Sequence, residues 1–336
     1  GTASVTFDGP LVLNAARTIT ASTVTAKAIN GSSAALSVVG NAVFNGAITS
    51  TSTLSVSGTT SLGANITTTG TQAFTGAVTL TGTGATRTLT GSTVTLSSTL
   101  AGGSNALVVT GNASFGGALT GLTSLSVSGT TAINANITTT GTQAYTGAVT
   151  LGAGVTLATT HSNITFGSTL NSATSSRALT ITAGTGTVTF TGAVGGTLAL
   201  GATSITAASV VHSSTLVGSS TYAVTGNATF SGAVSGITNL SVSGTTAINA
   251  NITTTGTQAY TGAVTLGNAV TLSASGLTTG STIVAGSNNL TITTDAIALG
   301  GNVSGTGALV IQPKTVSTTI GIGTDAINTL NLSDTE

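Results

Sequence analysis

Apolar and polar residues alternate in short bursts along most of this chain, as in Leu125-Ser126-Val127, Val149-Thr150-Leu151, Val188-Thr189-Phe190 and Leu290-Thr291-Ile292. Period two puts the apolar members on one face of an extended segment, and Gly, Asn or Ser punctuates the bursts, so the pattern predicts many short half-buried strands. They recur roughly every six to twelve residues, a spacing that suits either stacked β-coils or β-sandwiches. Helix is not expected. Lys, Glu, Arg and Gln are scarce, while Gly, Thr, Val and Asn lower helix propensity throughout.

A longer period is laid over the alternation. Residues 55–80, 126–151 and 241–266 carry the same phrase; the second and third copies are identical, SVSGTTAINANITTTGTQAYTGAVTL. The first differs only at Ser61, Leu62, Gly63 and Phe74, where the second has Ala132, Ile133, Asn134 and Tyr145. GNAVFNGA from Gly40, GNASFGGA from Gly111 and GNATFSGA from Gly226 precede the copies, and both phrases shift by 71 and then by 115 residues. Such self-similarity predicts an all-β protein built of stacked units: a parallel β-helix, or β-solenoid, with coils of about 18–22 residues. Tandem Ig-like β-sandwiches are the competing architecture. They fit less well, because the strands are short and alike, the bulky residues of a sandwich core are missing, and the 44 residues by which one interval exceeds the other suit two extra coils. The expected organisation is one continuous solenoid over residues 1–336, with about 16 to 18 coils and internal duplications around 40–80, 111–151 and 226–266.

Within the duplications, Phe44, Phe115 and Phe230 are followed 30 residues later by Phe74, Tyr145 and Tyr260, which marks recurring bulky core or flank positions. Asn41, Asn112 and Asn227, with Asn65, Asn136 and Asn251, are expected at turns. There they either align into amide ladders between coils or merely tolerate left-handed turn geometry. Both prolines, Pro10 and Pro313, lie near the ends, which leaves a long middle free for regular ladders.

Composition narrows the chemistry. Charged residues make up 3% of the 336, against roughly 25% in ordinary soluble proteins. Between Ala28 and Thr294 only Arg87 and Arg177 are charged. With zero net charge there is no electrostatic footprint for nucleic acid or an anionic membrane. No apolar run is long enough to span a bilayer as a helix, and with no cysteine there is neither disulfide nor thiol chemistry. Clustered carboxylates, which a β-helical hydrolase would need, are missing, so the chain does not read as an enzyme and no cofactor is implied. His161 and His212 have no acid near them in sequence and read as surface or turn residues. For a hard cation the weak candidates are Asp295 and Asp325, the latter within Gly321-Ile322-Gly323-Thr324-Asp325. Thr67-Thr68-Thr69, Thr138-Thr139-Thr140 and Thr253-Thr254-Thr255 supply hydroxyls for a binding flank but do not recur in every coil.

The phrases TQAYTGAVTLG and GNATFSGAV, with the tail LVIQPKTVSTTIGIGTDAINTLNLSDTE, resemble the repetitive stalks of filamentous-haemagglutinin-like adhesins and related β-strand-repeat surface proteins of bacteria. The resemblance implies a secreted, right-handed parallel β-helix acting in adhesion, biofilm or a surface layer. It also implies stalk rather than secretion module, since no NPNG-type phrase is present. The chain opens and closes mid-pattern and reads as a mature subunit or an excerpt. The expected function is therefore structural: an extracellular stalk or filament at the bacterial cell surface. Its partner is itself, end to end or laterally, or flanking parts of a longer chain. The alternative is an adhesin that binds glycan or a host surface through its Thr/Ser/Asn-rich flank.

Overall fold

The computed structural model describes residues 3–218, 220–322 and 329–332. The chain divides into two compact units, Gly1–Ser168 and Thr169–Glu336. Both are built as right-handed parallel β-solenoid, with about 16 turns in all and no helix among the described residues. Right-handedness is the sense that twisted strands favour when a chain returns to pair in parallel with itself. The ladders of both units run parallel, which rules out the antiparallel pairing of Ig-like sandwiches.

The first long repeat shows how sequence becomes coil. Leu54–Val56, Thr60–Leu62 and Ile66–Thr68 form one turn, and Gln72–Phe74 and Val78–Leu80 begin the next beneath the first two. Each strand has two inward residues flanking one outward residue, and a three-residue corner follows. Three such units close a turn of 18 residues, seen directly where Thr59 of one turn meets Asn41 of the turn before. Every sixth residue thus returns to the same inward position, and the phrase needs no longer-range instruction.

Turns lengthen at their corners. Gln72 lies opposite Val94 and Arg87 opposite Leu107 in the first unit, and Leu179 lies opposite Thr203 in the second. The last turn exceeds the predicted 22 residues because residues 195–199 bend out between Val194 and Leu200. Residues 173–178, which include Arg177, likewise leave the coil before Leu179–Thr182 resumes it, within the interval from Leu170 to its partner Val194. The ladders on either side stay in register, so insertion costs a loop rather than a sheet.

Side chains in the core are small and stack in columns. In the first unit Ala42, Thr60 and Val78 lie in register, as do Phe44, Leu62 and Leu80. In the second, Ala228, Thr246 and Val264 repeat the first column, and Phe230, Ile248 and Leu266 the second. Burying one such Leu, Ile or Val contributes about 1.5–3 kcal/mol. The core is strong by number rather than by any one anchor, because each turn packs only on its neighbours.

Candidate functional site: the outer faces and corners

What a solenoid offers to its surroundings is the middle residue of each strand and the corners. In the first unit one outward ladder reads Thr18, Ser37, Ser55, Ala73, Thr95, Ser114, Ala132 and Thr150 in successive register. In the second unit Ala223, Ser241, Ala259, Thr278 and Ala298 form the equivalent stripe. These faces carry hydroxyls and methyls and no charge. The one ion pair among the described residues, Lys27 Nζ to Asp8 Oδ1 at 4.0 Å, is solvent-exposed and contributes little.

The threonine runs divide between the two faces. Thr67, Thr138 and Thr253 point outward, whereas Thr68, Thr139 and Thr254 are buried. Their hydroxyls donate to the carbonyls of Gly70, Gly141 and Gly256 at 2.9, 2.6 and 3.1 Å. Period two thus withdraws the middle hydroxyl of each run and leaves the two flanking it, such as Thr67 and Thr69, exposed.

The corner asparagines fasten one turn to the next. Asn41 Oδ1 accepts Thr59 N–H at 2.9 Å, Asn112 Oδ1 accepts Thr130 N–H at 2.9 Å, and Asn227 Oδ1 accepts Thr245 N–H at 2.9 Å. Asn65, Asn136 and Asn251 do the same for Thr88, Thr156 and Thr271. The partner is backbone rather than another amide, so these contacts are not amide ladders. Nor is left-handed geometry the reason for asparagine: positive φ falls instead on the preceding glycines, Gly40, Gly111 and Gly226, at 133°, 126° and 132°.

Phe44, Phe115, Phe230, Phe74, Tyr145 and Tyr260 are all buried in the core and present nothing outward. Asp295 sits at a corner of the second unit and is spent on the same fastening. Its Oδ1 accepts Lys314 N–H at 2.9 Å and Thr315 N–H at 2.7 Å, and its Oδ2 accepts the Thr315 hydroxyl at 2.7 Å. These bonds, those from Thr315 foremost, hold its carboxyl below the ordinary range. Asp325 lies outside the described residues. No group of three His, Asp or Glu side chains converges among the described residues.

Two polar constellations were not foreseen. Gln72, Gln143 and Gln258, in a chain where glutamine is scarce, are all fully buried. Gln143 Nε2 donates to Ile137 O at 3.2 Å and Ala158 O at 2.9 Å, and its Oε1 accepts the Tyr145 hydroxyl at 3.0 Å. Gln258 and Tyr260 repeat this arrangement. Burial pushes both phenols well above their ordinary range. In the first copy Phe74 replaces the tyrosine, and Gln72 Oε1 is left buried without a donor. Phe74→Tyr is therefore expected to stabilise the first unit by about 1 kcal/mol, read from the denaturant midpoint, by supplying the missing donor. The signal was available in sequence: each Gln has inward parity, two residues before an aromatic.

His212 corrects the surface reading given to both histidines. His161 is exposed at a turn, but His212 is buried between the rings of Phe190 and Phe230. No protein-family model matches the chain, and comparison with curated proteins and with solved structures found no match. Fold and repeat together define the class, a parallel β-solenoid repeat protein.

Proposed function

We propose that the chain is structural material of the bacterial cell surface, a stalk or filament-forming solenoid that extends and self-associates outside the cell. The observation that carries this reading is the division of labour between inside and outside. Charge-free ladders of Ser, Thr and Ala form the outer faces, while Asn, Asp295 and the glutamines fasten turns to one another. Such faces can pack side by side without desolvating ions.

Strand edges support association end to end. Among the described residues Val5–Phe7 of the first unit pairs with Arg17–Ala26 alone and Leu11–Val12 with Ile29–Asn30 alone, and Val12 is 56% exposed. In the second unit Leu309 is 47% and Val310 is 44% exposed. Unpaired edges of this kind template further pairing, with another copy or with flanking parts of a longer chain. The purified chain is expected to assemble into rods or sheets with rising concentration, seen by light scattering and negative-stain microscopy. A chain that stays monomeric at high concentration and binds a glycan array would favour the adhesin reading instead.

A further inference from the structure

We propose that the turn holding His212 is an acid-sensitive opening point of the second unit, and this does not depend on the surface-stalk reading. The imidazole is stacked on Phe190 at 4.5 Å and 7° and on Phe230 at 5.6 Å and 9°, measured between ring centroids and planes. Its Nε2 shares a hydrogen bond of 2.6 Å with the hydroxyl of Tyr222, which stands edge-on to it. Its Nδ1 is buried and has no partner.

This arrangement suits the neutral ring and leaves the cation unsupported. An imidazolium has two N–H donors. The Tyr222 oxygen can accept one, and nothing accepts the other. Of the strands packed against His212, Thr187–Phe190 brings no titratable group and Thr221–Phe230 brings only Tyr222. From Ala178 to Thr294 the chain has no Asp, Glu, Lys or Arg at all. Attraction between a cation and the two phenyl faces offsets only part of the lost hydration.

The internal repeats show that the polar pair is not required for the coil. His212 is in register with Phe230, as Leu96 is with Phe115 and Ala26 with Phe44. Relative to the GNAxF phrase, Tyr222 stands where Leu107 and Leu36 stand in the other two copies. Apolar residues fill the same site twice in the first unit, so the His–Tyr pair confers a property that Leu–Leu cannot. That property is response to acid.

Burial lowers the imidazole from an ordinary value of 6.5 to about 3. For a base depressed in the folded state, stability is fully present above the unfolded pKa and is lost as pH falls from about 6.5 toward about 3. Across this window the open-to-closed ratio rises by up to about tenfold per pH unit.

Hydrogen exchange of the intact chain tests this at pH 7 and pH 4.5, after correction for intrinsic exchange rates. Peptides from residues 186–230 are expected to show about 100-fold more opening at the lower pH. Peptides from residues 94–115, the Leu96–Leu107 equivalent, serve as internal control and should stay unchanged. His212→Leu combined with Tyr222→Leu should abolish the difference. Equal pH response of the two regions in the wild-type chain would overturn the proposal without any variant. So would an unchanged response in the double variant.

Discussion

Replacing Gly111 with alanine is expected to cost more than about 4 kcal/mol and to melt the turns around it. Gly111 has a φ of 126°, where an L side chain is strained. A Cβ built there would lie 1.8 Å from the carbonyl oxygen of Gly91 in the turn above. That neighbour is backbone, held by its own ladder, so it cannot swing aside. The residue also joins turns on its other side: Gly111 O accepts Gly129 N–H at 2.9 Å, and Gly111 N–H donates to Ser128 Oγ at 3.0 Å. Hydrogen exchange across residues 91–129 should locate the loss, and the denaturant midpoint of the first unit should fall with it. Gly40 and Gly226 have the same φ and the same 1.8 Å approach, so their alanine variants should behave alike. Normal stability in Gly111→Ala would mean that the turns are spaced more loosely here than the geometry shows.

Gln143→Leu is expected to cost about 3–5 kcal/mol, although it adds apolar volume to an apolar core. Leucine would strand the carbonyl of Ala158 and the hydroxyl of Tyr145, both bonded to the glutamine. A buried group that loses its partner costs about 1–3 kcal/mol, more than a well-packed side chain of similar size returns. The companion variant Tyr145→Phe in the Gln143→Leu background should recover part of the loss, because it removes one orphan. A double-mutant cycle in denaturant measures that coupling. Purely additive effects would show that the hydroxyl and the amide do not act as a pair.

Much of this architecture was legible in the chain. Inward–outward–inward triplets such as Leu54-Ser55-Val56 write their burial directly into the period, and identical phrases must fold alike where their neighbours are alike. Coil length was legible as a range because corners absorb insertions, and for the same reason the excursion before Leu179 was not. Buried polar residues were the harder part. Composition marks Gln and His as surface types, and only inward parity betrays Gln72, Gln143, Gln258 and His212. The asparagines were placed at turns but not in their role, since a bond to the next turn's backbone has no local sequence signature. Among the candidate positions, the aromatics proved to be core and the asparagines corner fastenings, which leaves the small outward residues as the accessible surface.

The corner bonds bear on how such material ages. In each of these fastenings the asparagine contributes its oxygen, not its nitrogen. Hydrolysis of that amide to a carboxylate removes the idle atom and keeps the acceptor, and Asp295 shows a carboxylate serving at such a corner. With no cysteine, methionine or tryptophan to oxidise, direct hydrolysis of these corner amides leaves the joints closed.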